Sequence, residues 1–260
     1  MKSLFDLTGQ VIVVTGGGGL LGQTLAKGLA SCGAKVVIAE IDKTKGEAVC
    51  AVLKQEGYLA NFLLLDIAEE KSVINGVDKI IKEDGSIDVW INNAYPRTKD
   101  WHLTFEKIPF SSWQENINQH LNGYCLCCQK VAEAMKLKGK GSVINIASIY
   151  GIVAPDFSIY EGTSMTMPAA YAAIKGGIIQ FTKYLASYYG KNGIRVNAIS
   201  PGGIFDSQPE IFVKNYNYKT PLKRMAFPED LVGAAVFLAS NASAYVTGHN
   251  LVVDGGWSII

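Results

Sequence analysis

Two residues that could move a proton, Tyr171 and Lys175, stand four positions apart in a segment of helical periodicity, so both lie on one helix face. A phenol has an ordinary pKa of about 10, and a nearby ammonium lowers that pKa by stabilising the phenolate. Ser148 follows the apolar run at 143–146 and could hold a substrate oxygen by a hydrogen bond. The three residues predict proton transfer at an alcohol or ketone, the partner step of hydride transfer.

A glycine-rich turn at residues 15–22 lies between the first apolar run and a helical pattern. Gly17, Gly19 and Gly22 satisfy the spacing G-x-G-x-x-G in a strand, turn and helix context. Glycines let the backbone approach a pyrophosphate, and the helix N-terminus supplies N–H donors to it. The turn therefore predicts a dinucleotide cofactor, with a merely flexible turn as the alternative.

The second apolar run ends at Glu40, where an acidic side chain would accept hydrogen bonds from the adenosine ribose. A carboxylate there also repels a 2′-phosphate, so Glu40 favours NAD over NADP. Two alternatives stay open. Glu40 could be only a solvated strand end, and Lys43 or Lys45 could approach a phosphate.

Charge and composition restrict the partners. There are 24 Lys+Arg and 23 Asp+Glu, a net charge of +1, which gives no field to hold nucleic acid or an anionic membrane. We expect a small-molecule substrate and no membrane or nucleic-acid partner. The N-terminus has an acid, Asp6, where a signal peptide is apolar, and Cys125, Cys127 and Cys128 lack metal-ligand spacing. A cytoplasmic location, reduced thiols and no metal follow as expectations.

Short apolar runs alternate with longer helical patterns along the whole chain. Such runs are typical of parallel strands covered on both faces. They predict one α/β domain over 1–260, a doubly wound, Rossmann-like parallel sheet with helices on both faces. Two stretches, 155–168 and 205–220, break the rhythm and are predicted to be loop insertions beside the site.

Together these pieces resemble the short-chain dehydrogenase/reductase family across nearly the whole chain. The matching motifs are the glycine turn, Asp66, Asn92-Asn93-Ala94, Ile144-Asn145-Ile146-Ala147-Ser148, Tyr171-Ala172-Ala173-Ile174-Lys175, Pro201-Gly202 and Val253-Asp254-Gly255-Gly256. The resemblance implies Ser148, Tyr171 and Lys175 as a catalytic triad, Asp66 and Asn92 near the adenosine, and a homotetramer or homodimer. It implies a cofactor site made of Gly16, Gly19, Leu20, Leu21, Glu40, Asp66, Ile67, Asn93, Ala94, Tyr171, Lys175, Pro201, Gly202 and Ile204.

Some positions depart from the family pattern. His120 stands where the family has an Asn that helps to seat a proton-relay water. It is expected to seat that water in the same way, to join the relay directly, or to be a core histidine bonded to a backbone carbonyl. Tyr95 replaces a glycine, Asp206 replaces a Thr that contacts the carboxamide, and Leu20 replaces a turn glycine. The spacing of the turn is also similar to that of longer, sugar-nucleotide-processing members.

The insertion stretches predict a polar substrate pocket. Their candidate lining residues are Asp156, Ser158, Tyr160, Glu161, Thr163, Ser164, Asp206, Gln208, Asn215, Tyr216, Asn217 and Tyr218. Polar walls suit a sugar-like substrate better than an acyl chain or a steroid. Residues 92–97, 120–123 and 160–175 also resemble bacterial flagellin-modification dehydrogenases, which are tied to acidic sugars. Arg97 could then meet a phosphate or carboxylate, with an ordinary surface arginine as the alternative.

Two other functions remain open. One is a 3-oxoacyl thioester reductase using NADPH, a common activity in the family that the chain resembles. The other is a non-catalytic protein that senses dinucleotides. A complete set of Ser148, Tyr171 and Lys175 argues against the sensor, because a sensor needs no proton donor.

Overall fold

The computed structural model describes residues 4–260; Met1, Lys2 and Ser3, part of the domain predicted for 1–260, lie outside the described residues. In chain order the strands are β1 (Val11–Thr15), β2 (Lys35–Glu40), β3 (Ala60–Leu64), β4 (Val89–Asn92), β5 (Gly141–Ile146), β6 (Ile194–Pro201) and β7 (Asn250–Val253). The α-helices are α1 (Leu20–Ser31), α2 (Lys43–Gln55), α3 (Glu70–Asp84), α4 (Phe110–Asn116), α5 (Gly123–Lys138), α6 (Ala169–Tyr189), α7 (Glu210–Lys219) and α8 (Val232–Ala239). A π-helical segment, Ile117–Asn122, joins α4 to α5. Over residues 4–260, no helix is both long enough and apolar enough to cross a bilayer.

All seven strands pair in parallel, in the order β3-β2-β1-β4-β5-β6-β7. Val13 of β1 lies opposite Val37 of β2 on one side and Trp90 of β4 on the other. The chain therefore winds outward from β1 to β3, then returns to the other side of β1. This reversal opens a crevice at the carboxyl ends of the strands, where such sheets bind ligands. The predicted doubly wound α/β fold is confirmed.

Alternate residues of each strand supply two separate cores. In β1, Ile12 and Val14 pack in one cluster with α1, α2 and α8, whereas Val11 and Val13 pack in the other with α3, α5 and α6. Because both strand faces are buried, nearly every strand position must be apolar. This explains why the strands read as continuous apolar runs in the sequence.

The sequence predicts a loop for the stretch 205–220. This prediction is wrong, because residues Glu210–Lys219 form helix α7. Phe212 and Tyr216 are four residues apart, and they bury the inner face of this helix in a third apolar cluster. The stretch 155–168 keeps an irregular path apart from a short 3-10 helix at Phe157–Tyr160. Ion pairing of Lys219 with Asp156, at 2.9 Å, joins the two stretches at their outer side.

The turn between β1 and α1 depends on close backbone contacts. Gly16 has a φ of 62°, in the left-handed region that glycine tolerates, and a Cβ there would lie 2.7 Å from Ala94 Cα. A Cβ on Gly22 would lie 2.2 Å from the Gly16 carbonyl oxygen. Gly19 precedes α1 as its N-cap residue. The glycines thus let the first turn of α1 pack directly against the preceding strand end.

Replacing Gly22 by Ala should lower the free energy of unfolding by about 1–3 kcal/mol, because the new methyl forces the turn backbone to move. Gly233→Ala in α8 is the matched control, since nothing lies within 4 Å of the added Cβ. It should leave stability unchanged or raise it by up to about 1 kcal/mol, as expected for glycine replaced in a helix. Urea unfolding of both variants measures this, and equal stabilities would contradict the packing argument.

Candidate active site

A cavity of about 850 Å³ opens at the carboxyl ends of the strands. It runs from the glycine turn, past the ends of β2, β3 and β4, to the start of α6 and the segment after β6. Most of the predicted catalytic and cofactor residues line this cavity, together with Arg97 and Tyr160 from the substrate candidates. They are Gly16, Gly19, Leu20, Leu21, Glu40, Asp66, Ile67, Asn93, Ala94, Arg97, Ser148, Tyr160, Tyr171, Lys175, Pro201, Gly202 and Ile204. Of the four catalytic candidates, only His120 does not line the cavity; it is buried behind Lys175.

At one end of the cavity, the Glu40 carboxylate is held by backbone groups. It accepts hydrogen bonds from the N–H of Gly18 at 3.0 Å, of Ile41 at 2.9 Å and of Asp42 at 3.2 Å. Lys45 also lines the cavity here, and its ammonium lies 3.5 Å from the Asp42 carboxylate. Because Gly19 has no side chain to cap α1, the first-turn N–H groups of α1 remain available to an anion.

Asn93, and not Asn92, belongs to the cavity wall. The Asn93 side chain donates to the carbonyl of Thr15 at 2.9 Å and to that of Gly16 at 3.2 Å, so it fixes the glycine turn. Asn92 is fully buried and donates to the Asn145 side chain at 2.8 Å. Alternation along β4 explains this correction, because successive side chains point to opposite sides of a strand.

Three side chains converge at the other end of the cavity. Ser148 follows β5, and its hydroxyl accepts from the Tyr150 N–H at 3.2 Å. Tyr171 and Lys175 lie one turn apart on α6, which packs against the segment after Ser148. The Lys175 ammonium donates to the Ile146 carbonyl at 2.7 Å. This hydrogen bond holds helix α6 so that the side chains of Tyr171 and Lys175 face the end of β5.

Burial dominates the electrostatics of this group. It lowers the pKa of Lys175 to about 7, so the ammonium and the neutral amine are both accessible near neutral pH. Burial raises the pKa of Tyr171, and the hydrogen bond with Ser148 offsets part of that rise. The Lys175 ammonium lies 5.5 Å from the centroid of the Tyr171 ring, close enough for its charge to favour a phenolate.

His120 contacts Lys175 and not a backbone carbonyl, the partner expected of a core histidine. It is fully buried in the π-helical segment, and its Nε2 lies 3.4 Å from Lys175 Nζ. Burial and the nearby Lys175 charge lower the pKa of His120 well below its ordinary value, so it is neutral at neutral pH. If Lys175 donates to Nε2, then Nδ1 carries the proton. π-Helical turns of this kind often occur at functional sites.

The substrate side of the cavity is more aromatic than predicted. Of the polar candidates in the two insertion stretches, Tyr160, Asp206, Gln208 and Tyr216 line the cavity. The others lie outside it, namely Asp156, Ser158, Glu161, Thr163, Ser164, Asn215, Asn217 and Tyr218. Helix α7 accounts for three of these residues, because it turns Phe212 and Tyr216 inward and Asn215, Asn217 and Tyr218 away from the cavity.

Several lining residues were not predicted from the sequence. Tyr95 and Tyr150 lie next to recognised motifs, so proximity to Asn93 and Ser148 was a usable signal for them. Met167, Phe212 and Met225 reach the cavity only because the insertion segments fold over it. No local pattern distinguishes these three from ordinary core residues.

Comparisons with known proteins agree with this geometry. A family model described as enoyl-(acyl carrier protein) reductase matches residues 20–258. The chain is 33% identical to post-translational flagellin modification protein A of Campylobacter coli over 255 residues, covering 97% of this chain and 100% of the relative.

Two solved structures are also similar. Gluconate 5-dehydrogenase from Burkholderia cenocepacia, in complex with NADP and tartrate, has a TM-score of 0.89 and 30% identity, covering 98% of each chain. A short-chain dehydrogenase from Leptospira borgpetersenii with bound NAD+ has a TM-score of 0.88 and 36% identity, covering 99% of this chain and 96% of that one. With the sheet, the cavity and the Ser148, Tyr171 and Lys175 group in place, these matches show that the chain is an oxidoreductase of the short-chain dehydrogenase/reductase family.

Proposed function

We propose that this protein transfers a hydride between NAD and a secondary alcohol or ketone of a polar, sugar-like substrate, with Tyr171 as general acid and base. The observation that carries this proposal is the convergence of Ser148, Tyr171 and Lys175 at one end of a cavity whose other end is the glycine turn. A dinucleotide long enough to span the cavity would place its two halves at these two ends.

The residues at the glycine end fit a dinucleotide. Gly16 and Gly22 let the turn pack closely on itself and on Ala94, and Gly19, which lines the cavity without a side chain, leaves the start of α1 open to a close approach by phosphates. The uncapped N–H groups of α1 would bind the pyrophosphate, and Glu40 would accept from the adenosine ribose. Tyr171 and Lys175 would hold the nicotinamide ribose.

When bound, the nicotinamide supplies or accepts the hydride. In the reduction direction, Tyr171 gives its hydroxyl proton to the substrate oxygen, and in oxidation it takes that proton back. Ser148 holds the same oxygen through a hydrogen bond and fixes its position relative to Tyr171. Both residues line the same end of the cavity, so one substrate oxygen can approach both hydroxyls.

Lys175 and His120 support this proton transfer by Tyr171. The Lys175 ammonium stabilises the phenolate that forms when Tyr171 gives up its proton. Its orientation is fixed by the Ile146 carbonyl at 2.7 Å and by His120 Nε2 at 3.4 Å. We assign His120 as a positioning residue in its neutral form, because its lowered pKa opposes a cationic role in the relay.

Arg97 supports a substrate with an acidic group. It lines the cavity, and its guanidinium carbon lies 5.2 Å from the centroid of the Tyr95 ring, which in turn contacts the Tyr171 ring at 5.6 Å. A carboxylate bound by Arg97 would therefore lie one aromatic ring away from the reacting carbon. An anion-binding arginine at this distance fits a sugar acid better than a fatty-acyl chain.

The proposed chemistry predicts activity on sugar substrates that depends on the Tyr171 hydroxyl. Oxidation or reduction of D-gluconate, D-glucitol, D-galactose and an acetoacetyl thioester should be assayed with NAD(H) and NADP(H). Tyr171→Phe should lower kcat by about 10²–10⁴-fold while leaving NADH binding within a few-fold. Tyr184→Phe, an exposed tyrosine on the same helix, is the matched control and should not affect kcat.

Activity confined to the thioester with NADPH would support a 3-oxoacyl thioester reductase instead. NADH binding by the wild-type protein without turnover of any probe would support a dinucleotide sensor. Full activity of Tyr171→Phe would disprove the assigned mechanism.

The cofactor preference is tested at Glu40. Wild-type protein should bind NADH more tightly than NADPH, because the Glu40 carboxylate repels a 2′-phosphate. Glu40→Gln should reduce this preference by roughly 10-fold, in line with about 1–2 kcal/mol for one charge contact. Glu47→Gln, on the exposed side of α2, removes the same charge away from the cavity and should leave the preference unchanged. Titration of NAD(P)H fluorescence measures both, and tighter NADPH binding by the wild type would contradict the assignment.

The acidic-substrate proposal is tested at Arg97 with two probes of equal carbon count. Arg97→Gln should raise the KM for D-gluconate by about 10–100-fold, since a charge-assisted contact is lost. The KM for D-glucitol, which has a hydroxymethyl group in place of the carboxylate, should stay within about 2-fold. Lys99→Gln removes a charge two residues away, outside the cavity, and serves as the control. Equal effects of Arg97→Gln on both probes would show that Arg97 does not bind the carboxylate.

A further inference from the structure

Tyr95 occupies an unusual position between the substrate and proton-transfer ends of the site. It follows β4 by three residues and lines the cavity. Its ring makes edge contacts with the rings of His120 at 5.5 Å, Tyr171 at 5.6 Å and Trp101 at 5.8 Å. One side chain thus contacts both the proposed acid/base and the residue that holds Lys175.

Two cations also lie over this ring. Lys175 Nζ lies 5.9 Å from the Tyr95 ring centroid, and the Arg97 guanidinium carbon lies 5.2 Å from it. Both distances are within the roughly 6 Å over which a ring face attracts a cation. Lys175 is only 3% exposed, so the ring replaces part of the water that would otherwise solvate its charge.

The other groups that face Lys175 do not neutralise it. They are the Ile146 carbonyl from β5, neutral His120 and the ring of Tyr124 from the α4–α5 region, and the Tyr171 ring from α6. None of these carries a negative charge before Tyr171 loses its proton. Burial lowers the pKa of Lys175, and within residues 4–260 no carboxylate pairs with its ammonium to raise that pKa.

We propose that Tyr95 is a positioning residue for the proton-transfer group: its ring face stabilises the Lys175 ammonium, and its T-shaped contact with Tyr171 fixes the ring of that residue. Arg97 lies over the same ring, so Tyr95 also links the place where a substrate anion would bind to the place where the proton moves. This inference rests on the proposed role of Lys175. It explains why a large aromatic residue occupies a turn position where the family pattern has glycine.

The test uses the free protein, so that it does not depend on a substrate or cofactor. Acetic anhydride acetylates only the unprotonated amine, and peptide mass spectrometry reports the rate at Lys175 as a function of pH. The midpoint in the wild type should lie near the lowered pKa of about 7. Removing the ring with Tyr95→Leu destabilises the charged form, so the midpoint should move down by about 0.5–1 pH unit.

Tyr95→Phe keeps the ring and should restore the wild-type midpoint, which separates the ring face from the hydroxyl. Tyr184→Leu is the matched control, because it removes an exposed tyrosine ring from α6 over which, among the described residues, no cation lies. It should leave the midpoint unchanged. Arg97→Gln measures the effect of the second cation on Lys175. Loss of this nearby positive charge favours the ammonium, so the midpoint should move slightly up.

Circular dichroism checks the fold of each variant, and Tyr95→Met replaces Tyr95→Leu if the latter does not fold. A ring-free variant with the wild-type midpoint would overturn the proposal, as would a Tyr95→Phe midpoint shifted as far as that of Tyr95→Leu. The result of this test does not depend on whether the proposed function is correct. A protein that turned over no substrate could still show the shift, and an active enzyme could lack it.

Discussion

The hydrogen bond from the Lys175 ammonium to the Ile146 carbonyl ties the helix that carries Tyr171 to the strand that ends beside Ser148. A buried ammonium is costly unless its donors are satisfied. The structure meets that requirement with one carbonyl, one neutral imidazole and three aromatic rings, and with no carboxylate partner among residues 4–260. The positive charge of Lys175 is therefore not neutralised by a salt bridge, and it remains available to stabilise a phenolate on Tyr171.

The substrate side of the site has a different physical origin from the cofactor side. The cofactor side consists of strand ends and a glycine turn, whose backbone is set by the sheet. The proposed substrate wall takes Ile149, Phe212, Tyr216 and Met225 from a separate apolar cluster outside both sheet faces. Tyr150 and Tyr160 pack against that cluster and also line the cavity, so phenol groups add polar atoms to an apolar wall. It can contact both the C–H face and the hydroxyls of a polar ring or chain.

Local patterns in the sequence predict most of the fold and of the cofactor side. Both faces of every central strand are covered, so the strands appear as apolar runs. The glycine turn and the Tyr171-Lys175 spacing are local features that a linear sequence displays. Helix α7 was not predicted because its sequence is polar and aromatic. Its two buried rings form an apolar helix face only in the tertiary structure, where they pack on the 155–168 segment. Helical propensity is weak where tertiary contacts decide the outcome.

What the sequence by itself determined is the order of the elements, the glycine turn and the spacing of Tyr171 and Lys175, the residues proposed for proton transfer, because each depends on neighbours within a few positions. Only the tertiary structure decided that His120 contacts Lys175, that Asn93 holds the glycine turn and that Asn92 is buried against Asn145. It alone placed two cations over the Tyr95 ring. These relations join residues far apart in the chain, and they arise from the direction in which each side chain leaves a packed helix or strand.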